Sequence, residues 1–365
     1  MSGTEEDLHF HAMKWLPVVV VALVARLALL IFHTMTSGVP LVEAGHRHDS
    51  GWYQRIAETG YPQHPEGLGA KYVQTEWAFF PLYPMLVRGL MTVSGMRAAA
   101  AMDVLSWPLM ILALTGFAGL ARRHLPAGTD IDALMLYACF PFSVFLHVHY
   151  SEALFMALLF WSFIAIFDRR PALAALFLSA LVLVRPTGLF MLAPAFLYHI
   201  ERSGFRHSSG AGHLRSVVVI VPAVIAFTLF CAYQHRMTGD PFVFSTAQAG
   251  WGRSLTWPWQ SFFNSADPAT QIESVYTLLL IPLAFLLMKG APRSFRLLVA
   301  INILLPLLSG SVDSMTRFTL VMFPLFLYAA PVVATSKLRR PVLAVMLVLQ
   351  IFCAWLWSIG HPLMA

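Results

Sequence analysis

Four long, predominantly apolar runs limit what this chain can become: Leu16–Phe32, Val217–Phe230, Leu297–Leu308 and Leu343–Trp357. A helix of about 20 such residues crosses the hydrocarbon core of a bilayer. The bias extends through all 365 residues, of which 58% are hydrophobic and 12% charged. Soluble domains average about 45–50% and about 25%. A soluble enzyme, a disordered chain and a secreted disulfide scaffold are thereby excluded. Cys139, Cys231 and Cys353 all lie inside apolar stretches, so they read as small core residues rather than as a disulfide framework.

The chain is accordingly read as an all-α polytopic membrane protein, a single integral domain over 1–365. Eleven spans are expected, at about 15–34, 99–121, 131–149, 152–168, 171–185, 187–200, 216–234, 274–289, 295–310, 316–334 and 341–358. The proline-broken piece Phe79–Ser94 is too short to cross and reads as a helix lying at the membrane interface.

Lys and Arg in short loops set the orientation. One set of loops carries Arg122–Arg123, Arg169–Arg170, Arg202/Arg206/Arg215, Lys289/Arg293/Arg296 and Lys337/Arg339/Arg340, 13 cations, or 14 with Lys14. The opposite face carries eight: Arg47, Arg55, Lys71, Arg88, Arg97, Arg236, Arg253 and Arg317. The N-terminus is therefore expected in the cytoplasm, with the first span a retained signal-anchor. The net charge of +6 is explained by these anchors in contact with membrane lipids, and no nucleic-acid partner is expected. Two long segments, about 36–98 and 235–273, fall outside and are rich in Trp, Tyr, His and Asp. Long loops in compact proteins are commonly functional, so the chemistry is expected on the extracytoplasmic face. No P-loop and no dinucleotide fingerprint occurs, which disfavours an ATP-driven pump or a nucleotide-sugar enzyme.

Asp49 follows the first span closely, where a carboxylate can take a proton from a hydroxyl within hydrogen-bond reach. It equally suits a helix N-cap before Ser50. Arg185 lies at membrane depth in Val-Arg-Pro-Thr-Gly, where a cation is costly and marks a functional site by default. Arg317 and Arg253 stand at outer ends of apolar segments and fit either a phosphate site or snorkelling to headgroups. Arg26 sits in the middle of the first span and requires a carboxylate partner that the sequence does not identify. Glu76 opens the string Glu-Trp-Ala-Phe-Phe-Pro, and Glu152 starts a span, where the helix dipole alone favours an acid. His46-x-His48 and His147-x-His149, with Asp49, have the chemistry for zinc or manganese, but the spacing matches no closed zinc pattern. They read equally as hydrogen-bond donors to sugar or phosphate, and no cofactor is expected. Trp52, Tyr53 and Tyr83 are aromatic rings on the first external segment, where sugar faces stack.

The string Asp49-x-x-Trp52-Tyr53-x-x-Ile56-Ala57-x-x-Gly60-Tyr61, followed by Glu76-Trp77-Ala78-Phe79-Phe80-Pro81-Leu82-Tyr83-Pro84, resembles the signature of the PIG-V family. That family holds the second mannosyltransferase of glycosylphosphatidylinositol synthesis and its bacterial relatives, within the GT-C glycosyltransferases. Similar stretches follow in the same order around Pro141–Phe155, Leu183–Leu189, Gly239–Arg253 and Ser314–Phe326. One position departs, because His48 stands where the family usually has Trp. The resemblance implies a GT-C-like helical bundle and a lipid-linked donor, polyprenyl-phosphate-mannose, used on the non-cytoplasmic face. It maps the family's base onto Asp49. A departing lipid phosphate needs charge stabilisation, and the residues themselves offer Arg185 and Arg317, then Arg253, with His48 for that contact. Glu76, Trp52, Tyr53, Tyr83, Glu152 and His149 are expected to contact substrate, including a glycolipid or glycan acceptor. Transfer of another lipid-linked sugar is the alternative within this class. A transporter or flippase is the alternative outside it, disfavoured by the lack of an internal repeat. The 4 Lys against 20 Arg point to a bacterial cytoplasmic membrane.

Overall fold

In the computed structural model, residues 3–36, 40–63, 67–70, 73–203, 210–263 and 267–364 are described. Lys71 and Arg206, and the side chains of Lys14 and Arg215, lie outside that set. Among the described residues there are helices and no strand. In chain order they are α1 (Gly3–Thr36), α2 (Ser50–Thr59), α3 (Leu82–Ser94), α4 (Ala98–His124), α5 (Thr129–Ala138), α6 (Glu152–Phe167), α7 (Pro171–Leu181) and α8 (Thr187–Phe190). They continue as α9 (Leu192–Ser203), α10 (Gly210–Thr238), α11 (Val243–Thr246), α12 (Pro268–Leu287), α13 (Arg293–Leu308), α14 (Met315–Phe318), α15 (Pro324–Ala334) and α16 (Arg339–Ser358).

Five of these, in α1, α4, α10, α12 and α16, are long and apolar enough to cross a bilayer. Their outward faces are rows of Leu, Val, Ile and Phe, such as Leu23, Leu27 and Ile31 on α1 and Leu279, Phe285 and Leu286 on α12. Leaving such side chains in water costs about 1.5–3 kcal/mol each. The chain is thus a membrane protein, with these faces turned to lipid. Inside the belt, α6 is buried almost all round, packed between α4 and α7, while α1 lies on α16, α10 on α7, α13 on α9 and α15 on α5. The three cysteines are free and buried.

The remaining expected spans are shorter or broken. The segment 131–149 is helical only to Ala138, then passes through a 3-10 turn at Pro141–Leu146. The segment 316–334 divides into α14 and α15 at Phe323-Pro324. The pair meeting at Arg185 is interrupted over 182–186. Proline has no N–H for the helix ladder and disfavours helix at the residue before it. Non-helical backbone at such depth is tolerated where protein or a cavity surrounds it, and the breaks at 182–186 and 309–314 border one cavity. The 182–186 turn is tight: a Cβ on Gly188 would stand 2.5 Å from the Leu181 carbonyl oxygen.

Arg26 has found its carboxylate in Asp103 of α4, across 77 positions of sequence. Its guanidinium also donates to the His147 carbonyl and lies 5.0 Å over the Trp107 ring. Removing one member of a buried pair typically costs about 3–5 kcal/mol, because the other charge is left uncompensated. Arg26→Leu is therefore expected to lower stability by about that much. Arg26→Leu/Asp103→Leu should recover at least half, as read by thermal unfolding in detergent. Equal losses in the two variants would show that the cost does not come from leaving Asp103 uncompensated.

Candidate active site

Asp49 occupies the N-cap position of α2, yet its side chain makes no capping bond. Its Oδ2 instead accepts from Arg317 Nη1 at 3.0 Å. The Asp49 N–H donates to the Tyr150 hydroxyl at 3.1 Å, which fixes the start of α2 against the core. His48, directly before Asp49, has φ 48°, and Ser314, the N-cap of the short helix that carries Arg317, has φ 69°. Left-handed backbone at non-glycine residues costs on the order of 1 kcal/mol each and gathers at functional sites.

The charges form an alternating chain. Arg317 reaches Asp49 through Nη1, places Nε 3.3 Å from Glu152 Oε1, and donates from Nη2 to Ser314 Oγ at 3.2 Å. Phe145 and Tyr150 face its guanidinium at 5.6 and 5.4 Å. Glu152, the first residue of α6, is also ion-paired with Arg185 from the turn between α7 and α8. Exposure is 21% for the Asp49 side chain, 8% for Arg317 and 5% for Glu152. Buried ions cost several kcal/mol apiece unless compensated, and the order Asp49, Arg317, Glu152, Arg185 compensates each one.

Beside this chain lies a cavity of about 880 Å³. It is bordered by the start of α2, the break at Arg185, the 245–255 loop, the first turns of α12, the end of α13, α14 and Pro362–Leu363. Arg253 lines it without an ion-pair partner among the described residues. Loss of water lowers the Arg253 guanidinium from its ordinary value, with Arg317 acting the same way; an arginine remains a cation at neutral pH even so. Desolvation likewise pushes the His48 imidazole down against the pull of Asp49. One wall is aromatic, with Trp52, Phe79 and Trp251 in mutual ring contact at 5.5–5.9 Å. Tyr53 joins them, its phenol pushed up by burial and hydrogen-bonded to Ser151 Oγ at 2.8 Å.

Of the positions singled out from sequence, His48, Asp49, Trp52, Tyr53, Arg185, Arg253 and Arg317 line this cavity. Four do not. Glu152 is buried behind the two arginines that it joins. Tyr83 is buried with its ring edge-on to Tyr53 at 5.0 Å. His149 is fully buried, 3.5 Å from Asp103. Glu76 pairs at 3.6 Å with Arg55, a side chain 54% exposed. A solvent-screened pair of that kind contributes about 0–1 kcal/mol. Glu76→Gln should accordingly shift the unfolding midpoint by no more than a degree or two, and a loss as large as that of a buried pair would assign Glu76 another role.

Three further acids line the cavity, none of them marked by the sequence strings. Asp267 caps α12 by accepting from the Ala269 and Thr270 N–H groups at 3.0 and 3.2 Å. Asp313 accepts from Thr270 Oγ1 at 2.7 Å. Glu273 accepts from the Thr316 hydroxyl at 2.6 Å and its N–H at 3.0 Å, bracing α14 and so Arg317. A Glu next to an expected span was the available signal. Among the described residues, no three His, Cys, Asp or Glu side chains converge as metal ligands. His46 and His149 rings are 6.0 Å apart, and His48 turns instead towards Trp357.

No family model matches the chain, and no curated protein matches it in sequence. Solved structures do. The oligosaccharyltransferase of Archaeoglobus fulgidus, in complex with zinc and sulfate, is similar at 11% identity and TM-score 0.48, over 94% of this chain and 53% of that one. This chain thus spans about half the length of that enzyme. ArnT from Cupriavidus metallidurans, bound to undecaprenyl phosphate, is similar at 12% identity and TM-score 0.54, over 96% of this chain and 77% of that one. Its apo state aligns at the same score and identity over 97% of this chain and 77% of that one. At that identity the likeness is one of fold: the all-helical membrane architecture that the chain shares with ArnT.

Proposed function

We propose that this chain is a glycosyltransferase of the PIG-V type that moves mannose from a polyprenyl-phosphate donor to a hydroxyl of a lipid or glycan acceptor. The observation that carries the reading is the Asp49 carboxylate beside a cavity in which Arg185, Arg253 and Arg317 also stand. Asp49 takes the proton of the acceptor hydroxyl as that oxygen attacks the anomeric carbon. A new C–O bond forms, the bond from that carbon to the phosphate oxygen breaks, and its electrons leave with the lipid phosphate. Guanidinium groups stabilise the charge where it develops, in a site with little water. One displacement needs one base and inverts the anomeric centre.

The ordered strings shared with the PIG-V family support mannose, and the fold shared with ArnT supports a lipid-phosphate donor. We place the cavity on the extracytoplasmic face. In support, helix ends assigned outside by the charge pattern border the cavity. Ends assigned inside meet at the other pole, where Arg123 pairs with Asp168 at 2.6 Å and Arg202 lies 3.8 Å over Phe167. The reaction as proposed needs no metal.

The test is a donor panel with the purified protein. Polyprenyl phosphate should be released from the mannose donor faster than from other sugar donors, and at the same rate with a chelator present. Arg253→Gln, which removes the unpaired cation, should raise KM for the donor about tenfold, one unit of charge-assisted hydrogen bonding. Preference for another sugar would retain the chemistry and remove mannose. Loss of turnover on chelation would overturn the metal-free step, and no release from any donor would overturn the function.

A further inference from the structure

The proposed transfer moves charge from the base to the leaving group. Asp49, Arg317, Glu152 and Arg185 sum to zero, and Arg253 is the lining arginine that stands outside this chain, with the Asp313 carboxylate acting on it from across the cavity. A donor phosphodiester carries one negative charge, which Arg253 can meet without drawing on the chain. The departing phosphomonoester gains a second charge, its last pKa lying near ~6. That second charge appears as Asp49 loses its own by taking the acceptor's proton. Among the described residues, Arg317 is the one cation bonded to the Asp49 carboxylate.

We propose that Arg317 changes partner during the reaction: Nη1 holds Asp49 beforehand and turns to the departing phosphate once Asp49 is protonated. The inference rests on the transferase reading given above. The geometry suits an exchange at one donor only. Nε faces Glu152, Nη2 is on Ser314, and the Phe145 and Tyr150 rings flank the group. Nη1 alone points to a carboxylate that reaches the cavity. Glu152 is thus a tether that keeps the guanidinium in place while its outer donor is exchanged. Proton transfer and phosphate stabilisation become one event: the base releases its cation at the moment that the leaving group needs it. Before that moment the ion pair keeps Asp49 ionised and Arg317 occupied, so the product phosphate is held weakly by an enzyme whose base is charged. Release of polyprenyl phosphate follows when Asp49 gives up its proton and reclaims Arg317.

Equilibrium binding tests this without turnover. Undecaprenyl phosphate is titrated in detergent into intact full-length protein, Asp49→Asn, Arg317→Gln and Asp49→Asn/Arg317→Gln, with unfolding midpoints taken in parallel. Asn mimics the protonated base and should tighten binding about tenfold. That gain should vanish when Arg317 is Gln. A gain that persists in the double variant would mean that Asp49 merely repels phosphate, and would overturn the exchange. Equal affinity of intact protein and Asp49→Asn would overturn it too, while leaving the transferase standing if the intact protein turns over donor. Should Arg317→Gln prevent folding, Arg317→Lys serves: it keeps the charge, but its three donors sit on one nitrogen and cannot span Glu152 and the ligand as Nε and Nη1 do, so most of the gain should be lost. Intact protein that neither binds undecaprenyl phosphate nor releases it from donor would remove the transferase reading and this inference with it.

Discussion

Asp49→Asn is expected to lower sugar transfer by about a hundredfold to ten-thousandfold, the usual contribution of a positioned general base. Asn has nearly the same shape, so α2 and the cavity should persist. It keeps the backbone N–H that donates to Tyr150. What it cannot do is take a proton from the acceptor hydroxyl. The loss should fall on kcat, with KM for the donor little changed or lowered, because the carboxylate touches the acceptor side and holds Arg317 away from the phosphate. Initial rates at saturating donor, with the unfolding midpoint as a control for folding, measure this. Activity within tenfold of the intact protein would mean that another group is the base.

Glu152→Gln is expected to produce the largest loss of stability among the site variants, about 3–5 kcal/mol. Glu152 is buried and stands between Arg185 and Arg317. Neutralising it leaves two guanidinium groups facing each other with one carboxylate, Asp49, to serve both. Gln matches the volume, so the effect measures charge rather than packing. Transfer should fall as well, since Arg317 loses the contact that holds its Nε while Nη1 works. Arg185→Gln should be milder, because Glu152 keeps Arg317 as a partner and Arg185 is the more exposed arginine. Thermal or denaturant unfolding in detergent orders the variants. A Glu152→Gln protein as stable as the intact one would show that the four charges do not act as a chain.

Apolar runs are enough to read an all-helical membrane protein, because bilayer thickness and the cost of charge leave few alternatives. The breaks at 139–151 and 319–323 were harder to see, since their residues are as apolar as a span. Pro141 and Pro324 mark them only in retrospect. Charges at odds with their surroundings proved informative: Asp49, Arg185 and Arg317 converge although they come from three distant stretches. Their pairing was not legible. The sequence marks Glu152 without showing that it pairs with both arginines, and the pairing of Arg26 with Asp103 depends on how α1 crosses α4. His149 and Tyr83 sit within the shared strings yet face the core, because a motif conveys residue identity without the direction of a side chain. Glu273 was passed over inside an apolar helix, where its bonds to Thr316 give it the task of holding α14.

The most direct test of a single-base, lipid-phosphate mechanism is the anomeric configuration of the product, read by NMR after the purified protein has acted on polyprenyl-phosphate-mannose and a lipid acceptor. One displacement assisted by Asp49 predicts a new glycosidic bond of configuration opposite to that of the donor, formed together with free polyprenyl phosphate. A product that keeps the donor's configuration would require a second displacement and a nucleophile, and would contradict the role assigned to Asp49.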